Sequence, residues 1–465
     1  MPVSLSEARA RLKATEASAL CFGVIDCLER VYPDCGKVSL VRAPGRVNII
    51  GEHTDYNGLP VMPMAIDREI VIAFGPGTDS EVDLVSVDPS YPRIRFAMSG
   101  DIAKYDTGHW GNYVKAAAQA IWRWAETNRP DALPLSGIRG CVAGSVPPGS
   151  GLSSSSALVV AAALAVGAEL RIDKLELAEL LAKAEHYVGT EGGGMDQAVS
   201  LMAERGSALK IDFFPLRTKP VKLPAEHVIV VANSMVSANK TGAARMAYNT
   251  RVAECRLGLE MLAHLSGLRD ARLLRDIMYA EPRWRELLEG LPDDPMSIEQ
   301  VSGFVGTSTD DIRRKCLTAR DGSLIPEPYG GFQPKKRCRH VLTEAARVEL
   351  AAEAAERGDA CSLGKLMDES HTSCAEDYEI SRSELDTLVS IMRRHGALGA
   401  RLTGAGFGGC AIALVTTAGS AELMDALWAD YYLGYLRSRG IESPQDRESV
   451  LFACSPAAGA HRLLE

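Results

Sequence analysis

What this 465-residue chain lacks narrows the possibilities first. No apolar run reaches the roughly 18–20 residues needed to span a bilayer, so no membrane association is expected. The N-terminus, Met-Pro-Val-Ser-Leu-Ser-Glu-Ala-Arg, has no uninterrupted apolar centre and no small-residue cleavage site, and no secretory leader is read there. Positive charge is in deficit: 51 Lys and Arg stand against 60 Asp and Glu, and a net charge of -9 argues against nucleic acid as a partner. The eleven cysteines form no paired framework and no Cys-x-x-Cys occurs, which suggests free thiols in a cytoplasmic protein. Internal repeats and low-complexity tracts are absent as well.

What is present is enough apolar residue, 46% of the chain, for two domains sharing a large core. Residues 5–33 read as one helix, with Leu5, Ala8, Leu12, Ala19, Phe22 and Ile25 at helical spacing and Thr15 the polar break. Strands are predicted over 37–43, 69–74, 82–86, 138–146, 228–232 and 451–453, where apolar residues alternate or cluster between turns. Helices are predicted over 110–125, 175–187, 243–264, 340–357 and 383–395. This mixture is an α+β architecture. The proline-punctuated stretch 215–224 suggests a boundary, giving domains 1–215 and 216–465, with an insertion of short helices and loops near 281–336.

Four stretches carry chemistry. Pro147-Pro148-Gly149-Ser150-Gly151-Leu152-Ser153-Ser154-Ser155-Ser156-Ala157 leads from a strand into an apolar run, predicting a buried helix from about Leu152. Glycines admit a ligand close to the backbone, and the unpaired NH groups of a helix start attract phosphate. Serine hydroxyls can add donors to phosphate or a ligand to magnesium. A plain turn capping a core helix would read the same way, and no Lys-Ser/Thr pair makes it a Walker loop. The second stretch, Gly45–Gly58, packs Arg46, Glu52, His53, Thr54, Asp55, Tyr56 and Asn57 together. That density suits a polyhydroxylated ligand, whose every hydroxyl wants a donor and an acceptor; Glu52, His53 and Asp55 are also competent metal ligands, but adjacent loop positions converge poorly on one ion. In the third, Glu185–Gln197, a helix ends and Gly192-Gly193-Gly194 precede Asp196, a candidate base or orienting group, while Glu185 is a candidate magnesium ligand. The fourth, Arg401–Cys410, spells Gly-x-Gly-x-x-Gly from Gly404 to Gly409 but leads into a strand, the wrong context for a dinucleotide fingerprint.

Together these stretches resemble the GHMP kinase superfamily and, within it, the galactokinases. Residues 45–58 resemble the galactokinase signature, 147–157 the superfamily's phosphate loop and 402–409 its third motif. Similarity continues through Trp110–Lys115, Gly194–Gln197, Arg339–Val341 and Glu369–Thr372, with Thr190–Gln197 and the 281–336 stretch pointing to the longer branch shared with N-acetylgalactosamine kinases.

The resemblance implies two lobes, ribosomal-S5-like then ferredoxin-like. It also implies transfer of the γ-phosphoryl group of ATP to the anomeric hydroxyl of a galactose-type sugar. By matched position Asp196 is the base and Arg46 its partner. Arg46, Glu52, His53, Asp55, the Gly193 backbone and Tyr248 surround the sugar. Pro148, Gly149, Ser150, Gly151, Leu152, Ser153, Ser154 and Ser155 form the ATP loop, Trp110 lies beside the adenine, and Ser154 with Glu185 holds Mg2+. Phosphoryl transfer rests on positioning and charge, so no covalent intermediate is needed. Thr54, Asn57 and Tyr248 follow the galactokinase pattern, favouring galactose over N-acetylgalactosamine. A non-catalytic galactose and ATP sensor is the other alternative, against which stand the uninterrupted Ser153–Ala157, Asp196 and Arg46. A monomer is expected.

Overall fold

The computed structural model describes residues 2–14, 18–189, 192–236, 243–319 and 322–464. Its twelve strands are β1 (Ser39–Ile50), β2 (Met62–Pro76), β3 (Glu81–Ser86), β4 (Ile94–Ala97), β5 (Ile138–Gly144), β6 (Ser207–Asp212), β7 (Arg217–Lys222), β8 (His227–Asn233), β9 (Gly399–Thr403), β10 (Cys410–Thr416), β11 (Leu451–Cys454) and β12 (His461–Leu464). A six-stranded sheet of order β12-β1-β2-β5-β3-β4 builds the N-terminal lobe and is antiparallel except for β3 beside β5. An antiparallel sheet of order β11-β8-β10-β9 builds the C-terminal lobe, and β6 and β7 pair separately. The last strand of the chain thus lies in the sheet of the first lobe.

Past its opening serines the helix Ser154–Val166 is apolar on every face, and it lies largely buried between that sheet and the helix Gly111–Asn128. The helix Ala19–Val31 covers the opposite side against β2 and β5. In the C-terminal lobe the helices Ala360–Glu376 and Ser383–Arg394 pack against β9, the second also against β10, and Pro334–Glu356 packs against Ala360–Glu376.

Several sequence expectations are corrected. Within residues 5–33 the described residues form two helices, Leu5–Ala14 and Ala19–Val31, the second starting after Ser18, whose backbone is extended; Thr15 lies outside the described residues. The strand expected over 37–43 continues to Ile50. Pro44-Gly45 bulges β1 instead of ending it, and a Cβ on Gly45 would stand 2.7 Å from the Leu152 carbonyl oxygen. The phosphate-loop helix starts at Ser154, not Leu152. The proline-rich 215–224 stretch holds β7. The helix Ala360–Glu376 was not foreseen, because its buried face carries Ser370, His371 and Ser373 among the apolar residues and blurs the period. Residues 281–336 do hold short helices, Trp284–Glu289, Ile298–Val305 and Thr309–Ile312.

Candidate active site

The bulge at Pro44-Gly45 brings β1 against the phosphate loop, where Arg46 N donates to the Leu152 carbonyl at 3.1 Å. The Arg46 side chain is then gripped from two directions. Its Nη1 donates to the Gly151 carbonyl at 2.5 Å, while Nε and Nη2 meet Asp196 Oδ1 at 2.9 Å and Oδ2 at 3.2 Å. Such a two-pronged pairing fixes orientation as well as charge. Asp196 lies in the first turn of the helix Met195–Met202, and Gly194 before it takes φ 103°, which a side chain would resist. Ser153, itself left-handed at φ 61°, donates its hydroxyl to the same carboxylate. A non-glycine residue held there is a locally strained arrangement of the kind that gathers at functional sites.

Gly193 approaches the sugar-signature loop at backbone distance. Its NH donates to Asp55 Oδ2 at 3.1 Å. Burial, and then the charge of Asp196 nearby, push the Asp55 carboxyl up from its ordinary range. Glu52 is buried and also pushed up, by burial, against the opposing pull of Arg401 and Arg46; its Oε1 accepts from Gly404 N at 2.8 Å and faces Arg401 Nη1 at 3.4 Å. His53 stands at φ 62° with its two ring nitrogens engaged, Nδ1 with the Tyr56 hydroxyl at 2.8 Å and Nε2 with the Ala405 carbonyl at 3.1 Å. The Tyr248 ring lies 5.4 Å from that of His53. Arg46, Glu52, His53, Asp55, Glu185, Gly193, Asp196 and Tyr248 line one cavity, closed on one side by Gly404 and Ala405.

The phosphate loop lies beside this cavity. Gly149 and Gly151 take φ 66° and 77°, and the helix behind them offers its first NH groups. Ser150 turns inward, its hydroxyl donating to the Pro147 carbonyl at 2.6 Å, and Leu152 is a core side chain, so both offer a nucleotide only backbone. Pro148 and Gly149 are exposed. Glu185 accepts from Ser156 at 2.5 Å, while Ser154, named with it for Mg2+, opens the helix behind the loop. Tyr113 joins this cluster, its hydroxyl pushed up by burial and then by the charge of Glu185, with Ser155 bonding to it. Among the described residues no group of three or more His, Cys, Asp or Glu forms a metal cage. Mg2+ carried by ATP needs only one or two carboxylates beside the phosphates, and these hard oxygen donors fit it. Trp110 stands apart from the cavity, half-buried, with Nε1 donating to the Pro92 carbonyl at 2.8 Å and its ring beside Tyr91.

The C-terminal lobe grips the signature loop through residues that sequence reasoning did not assign. His340 Nε2 bonds the Glu52 carbonyl at 3.0 Å, Glu344 Oε1 accepts from Gly51 N at 2.9 Å, and Arg401 Nη1 donates to the Asn48 carbonyl at 3.0 Å. The available signal was His340 and Glu344, four apart and polar, among the apolar residues that follow Arg337 on the buried side of one helix. The third motif joins β9 to β10. A Cβ on Gly404 would stand 2.5 Å from the Gly151 carbonyl, so the phosphate loop and this turn meet backbone to backbone. Thr54 and Asn57 do not line the cavity. The Thr54 hydroxyl is shared between the carbonyls of Gly51 and Pro60, and Asn57 Nδ2 donates to the His53 carbonyl at 3.0 Å.

Two lobes meeting over a glycine-serine loop define a GHMP kinase. Residues 112–204 match the model of the GHMP kinase N-terminal domain, and 351–432 that of the C-terminal domain. Residues 32–76 match the galactokinase galactose-binding signature. The chain is 34% identical to a galactokinase of Dictyostelium discoideum, covering 94% of this chain and 92% of that one, and 33% identical to a galactokinase of Saccharomyces cerevisiae, covering 81% and 82%. It superposes on the crystal structure of Lactococcus lactis galactokinase complexed with galactose with a TM-score of 0.72 at 27% identity, over 94% of this chain and 98% of that one. The chain belongs to the galactokinase family.

Proposed function

We propose that this chain transfers the γ-phosphoryl group of ATP to the anomeric hydroxyl of galactose, and that Asp196 is the group receiving the proton. The observation that carries this reading is the two-pronged Arg46–Asp196 pair, placed at the junction of the phosphate loop and the sugar cavity. Arg46 holds the carboxylate in one orientation and faces the phosphate loop through Gly151, where its charge offsets charge on the transferring group. Asp55 and Glu52 supply acceptors for sugar hydroxyls, Tyr248 a donor, and the ring of His53 one wall. The loop from Pro148 to Ser155 cradles the ATP phosphates with backbone NH groups and hydroxyls. Glu185 with Ser156 would hold the magnesium of Mg-ATP, which neutralises phosphate charge. No helix among the described residues is long and apolar enough to cross a membrane. A monomer acting in the cytoplasm is the working proposal.

The test is ADP release from Mg-ATP with galactose, N-acetylgalactosamine, glucose or no sugar, each over a concentration series. Turnover on galactose alone is expected. Preference for N-acetylgalactosamine would overturn the pocket assignment. Binding of both substrates without turnover would make the chain a sensor.

A further inference from the structure

A chain of buried hydroxyls runs from the sugar cavity into the C-terminal lobe. Tyr378 is fully buried after the helix Ala360–Glu376 and does not line the cavity. Its hydroxyl lies 2.6 Å from that of Tyr56, which lies 2.8 Å from His53 Nδ1, and the Cys255 Sγ is 3.2 Å from Tyr378 on the far side. For a neutral His53 ring the direction of every bond follows from one end. The Ala405 carbonyl can only accept, so the hydrogen of the neutral His53 ring sits on Nε2. Nδ1 is then an acceptor, and the single hydrogen of Tyr56 must point to it. The Tyr56 oxygen is left to accept from Tyr378, and the Tyr378 oxygen to accept from Cys255. Burial raises both phenols well above their ordinary range, so both stay hydroxyls. Backbone anchors hold the far end: Arg251 Nε donates to the Tyr378 carbonyl at 2.7 Å, and Arg337 to that of Asp377. The Tyr378 ring packs on His53 and His340 at 4.7 and 4.5 Å between centroids.

We propose that Tyr378 is a positioning residue for sugar recognition. Acting through Tyr56, it anchors Nδ1 of the His53 ring, whose Nε2 is tied to Ala405, and so holds the left-handed turn that presents Glu52 and Asp55. The inference rests on the sugar site proposed above. Tyr56 adjoins Asp55 in the short turn Asp55–Asn57, so a hydroxyl holding Tyr56 from the other lobe also holds the Asp55 carboxylate against Gly193. Hydrogen bonds along such a chain polarise one another, so losing one link weakens its neighbours.

Two measurements test this. In Tyr378→Phe, which keeps the ring, the galactose KM should rise about five-fold, the loss of one buried hydrogen bond, with ATP KM and kcat retained. Tyr56→Phe should do more, and the double variant no more than Tyr56→Phe alone, because Tyr378 acts through Tyr56. An unchanged galactose KM, a parallel rise in ATP KM, or additive effects would overturn the proposal. Long-range proton–nitrogen NMR of histidine-labelled protein without sugar, with His53 assigned by its loss in His53→Gln, should show the Nε2-protonated tautomer. In Tyr56→Phe the Nδ1 resonance should move, while Nε2, tied to the Ala405 carbonyl, keeps its proton. An Nδ1-protonated wild-type ring would also refute it. This readout needs no sugar, so it separates failure of the chain from failure of the site. Asp55→Ala with an unchanged galactose KM would remove the site alone.

Discussion

The three consecutive glycines before Asp196 should respond differently to alanine, and Gly193 is the informative one. A Cβ there would stand 2.4 Å from both the Asp55 carbonyl carbon and Tyr56 N, and 2.6 Å from Asp55 Cγ, where ordinary contact begins at 3.4 Å. Two of these obstacles are backbone, so the signature loop must retreat by about 1 Å. Overpacking of this kind costs about 1–3 kcal/mol of stability, which a chain of this size survives. The catalytic cost is larger, because a displacement of about 1 Å in a positioned group can cost about 100-fold. Gly193→Ala should therefore lose about two orders of magnitude in kcat/KM for galactose, while a fluorescent ATP analogue binds as in the wild type. Gly192→Ala is the control: among the described residues its Cβ would meet only Glu185 Oε2, at 3.9 Å, and activity should survive. Gly194→Ala should destabilise through its φ of 103° with nothing closer than 3.1 Å. The assay is ADP release over a galactose series beside thermal melting. A wild-type galactose kcat/KM in Gly193→Ala would refute the placement of Asp55 against Gly193.

Other perturbations test separate parts of the site. Tyr248→Phe should weaken galactose use by one hydrogen bond, about 0.5–1.5 kcal/mol; an unchanged KM would show that Tyr248 does not touch the sugar. Glu185→Gln should raise the Mg2+ concentration needed for half-maximal rate without changing galactose KM, and an unshifted Mg2+ titration would remove Glu185 from the metal site. Burial holds His340 down at about 4, below its ordinary 6.5, so folding favours its neutral form. The stability this confers is complete above pH 6.5 and is lost as pH falls toward 4, up to about 3 kcal/mol. Glu344, lowered to about 2 by Arg347 and Arg401 against burial, extends the loss below pH 4.5. Chemical denaturation across pH 4–7 should show this slope, and His340→Gln should flatten it between pH 6.5 and 4; equal slopes in both proteins would contradict the assignment.

Much of this was readable from local sequence, for local reasons. The signature loop, the serine loop and the triple glycine concentrate special residues in short windows, and each window folds as one piece of the site. Close packing against the signature loop explains Gly193, whereas Gly194 serves a backbone angle. Less legible was anything crossing between lobes. Arg401, His340, Glu344 and Tyr378 act on residues roughly 300 or more positions away in sequence, and no spacing rule carries that information. Ser156 was passed over because four serines in a row are equivalent by letter. Only the rotation of the helix start, with Ser153 left-handed, decides that Ser156 turns to Glu185 and Ser153 to Asp196. Thr54 and Asn57 were read as marks of a preference for galactose, and their side chains hold loop carbonyls. Any effect they have on sugar choice passes through the backbone.

The central claim, that Asp196 handles the proton of the anomeric hydroxyl, is met most directly by single-turnover phosphoryl transfer to galactose in Asp196→Ala. Both substrates are supplied above saturation, and binding of each is confirmed on the same preparation. The account predicts transfer slowed by about 100-fold or more with sugar and nucleotide still bound, the scale expected for loss of a positioned base. Transfer at the wild-type rate would contradict it.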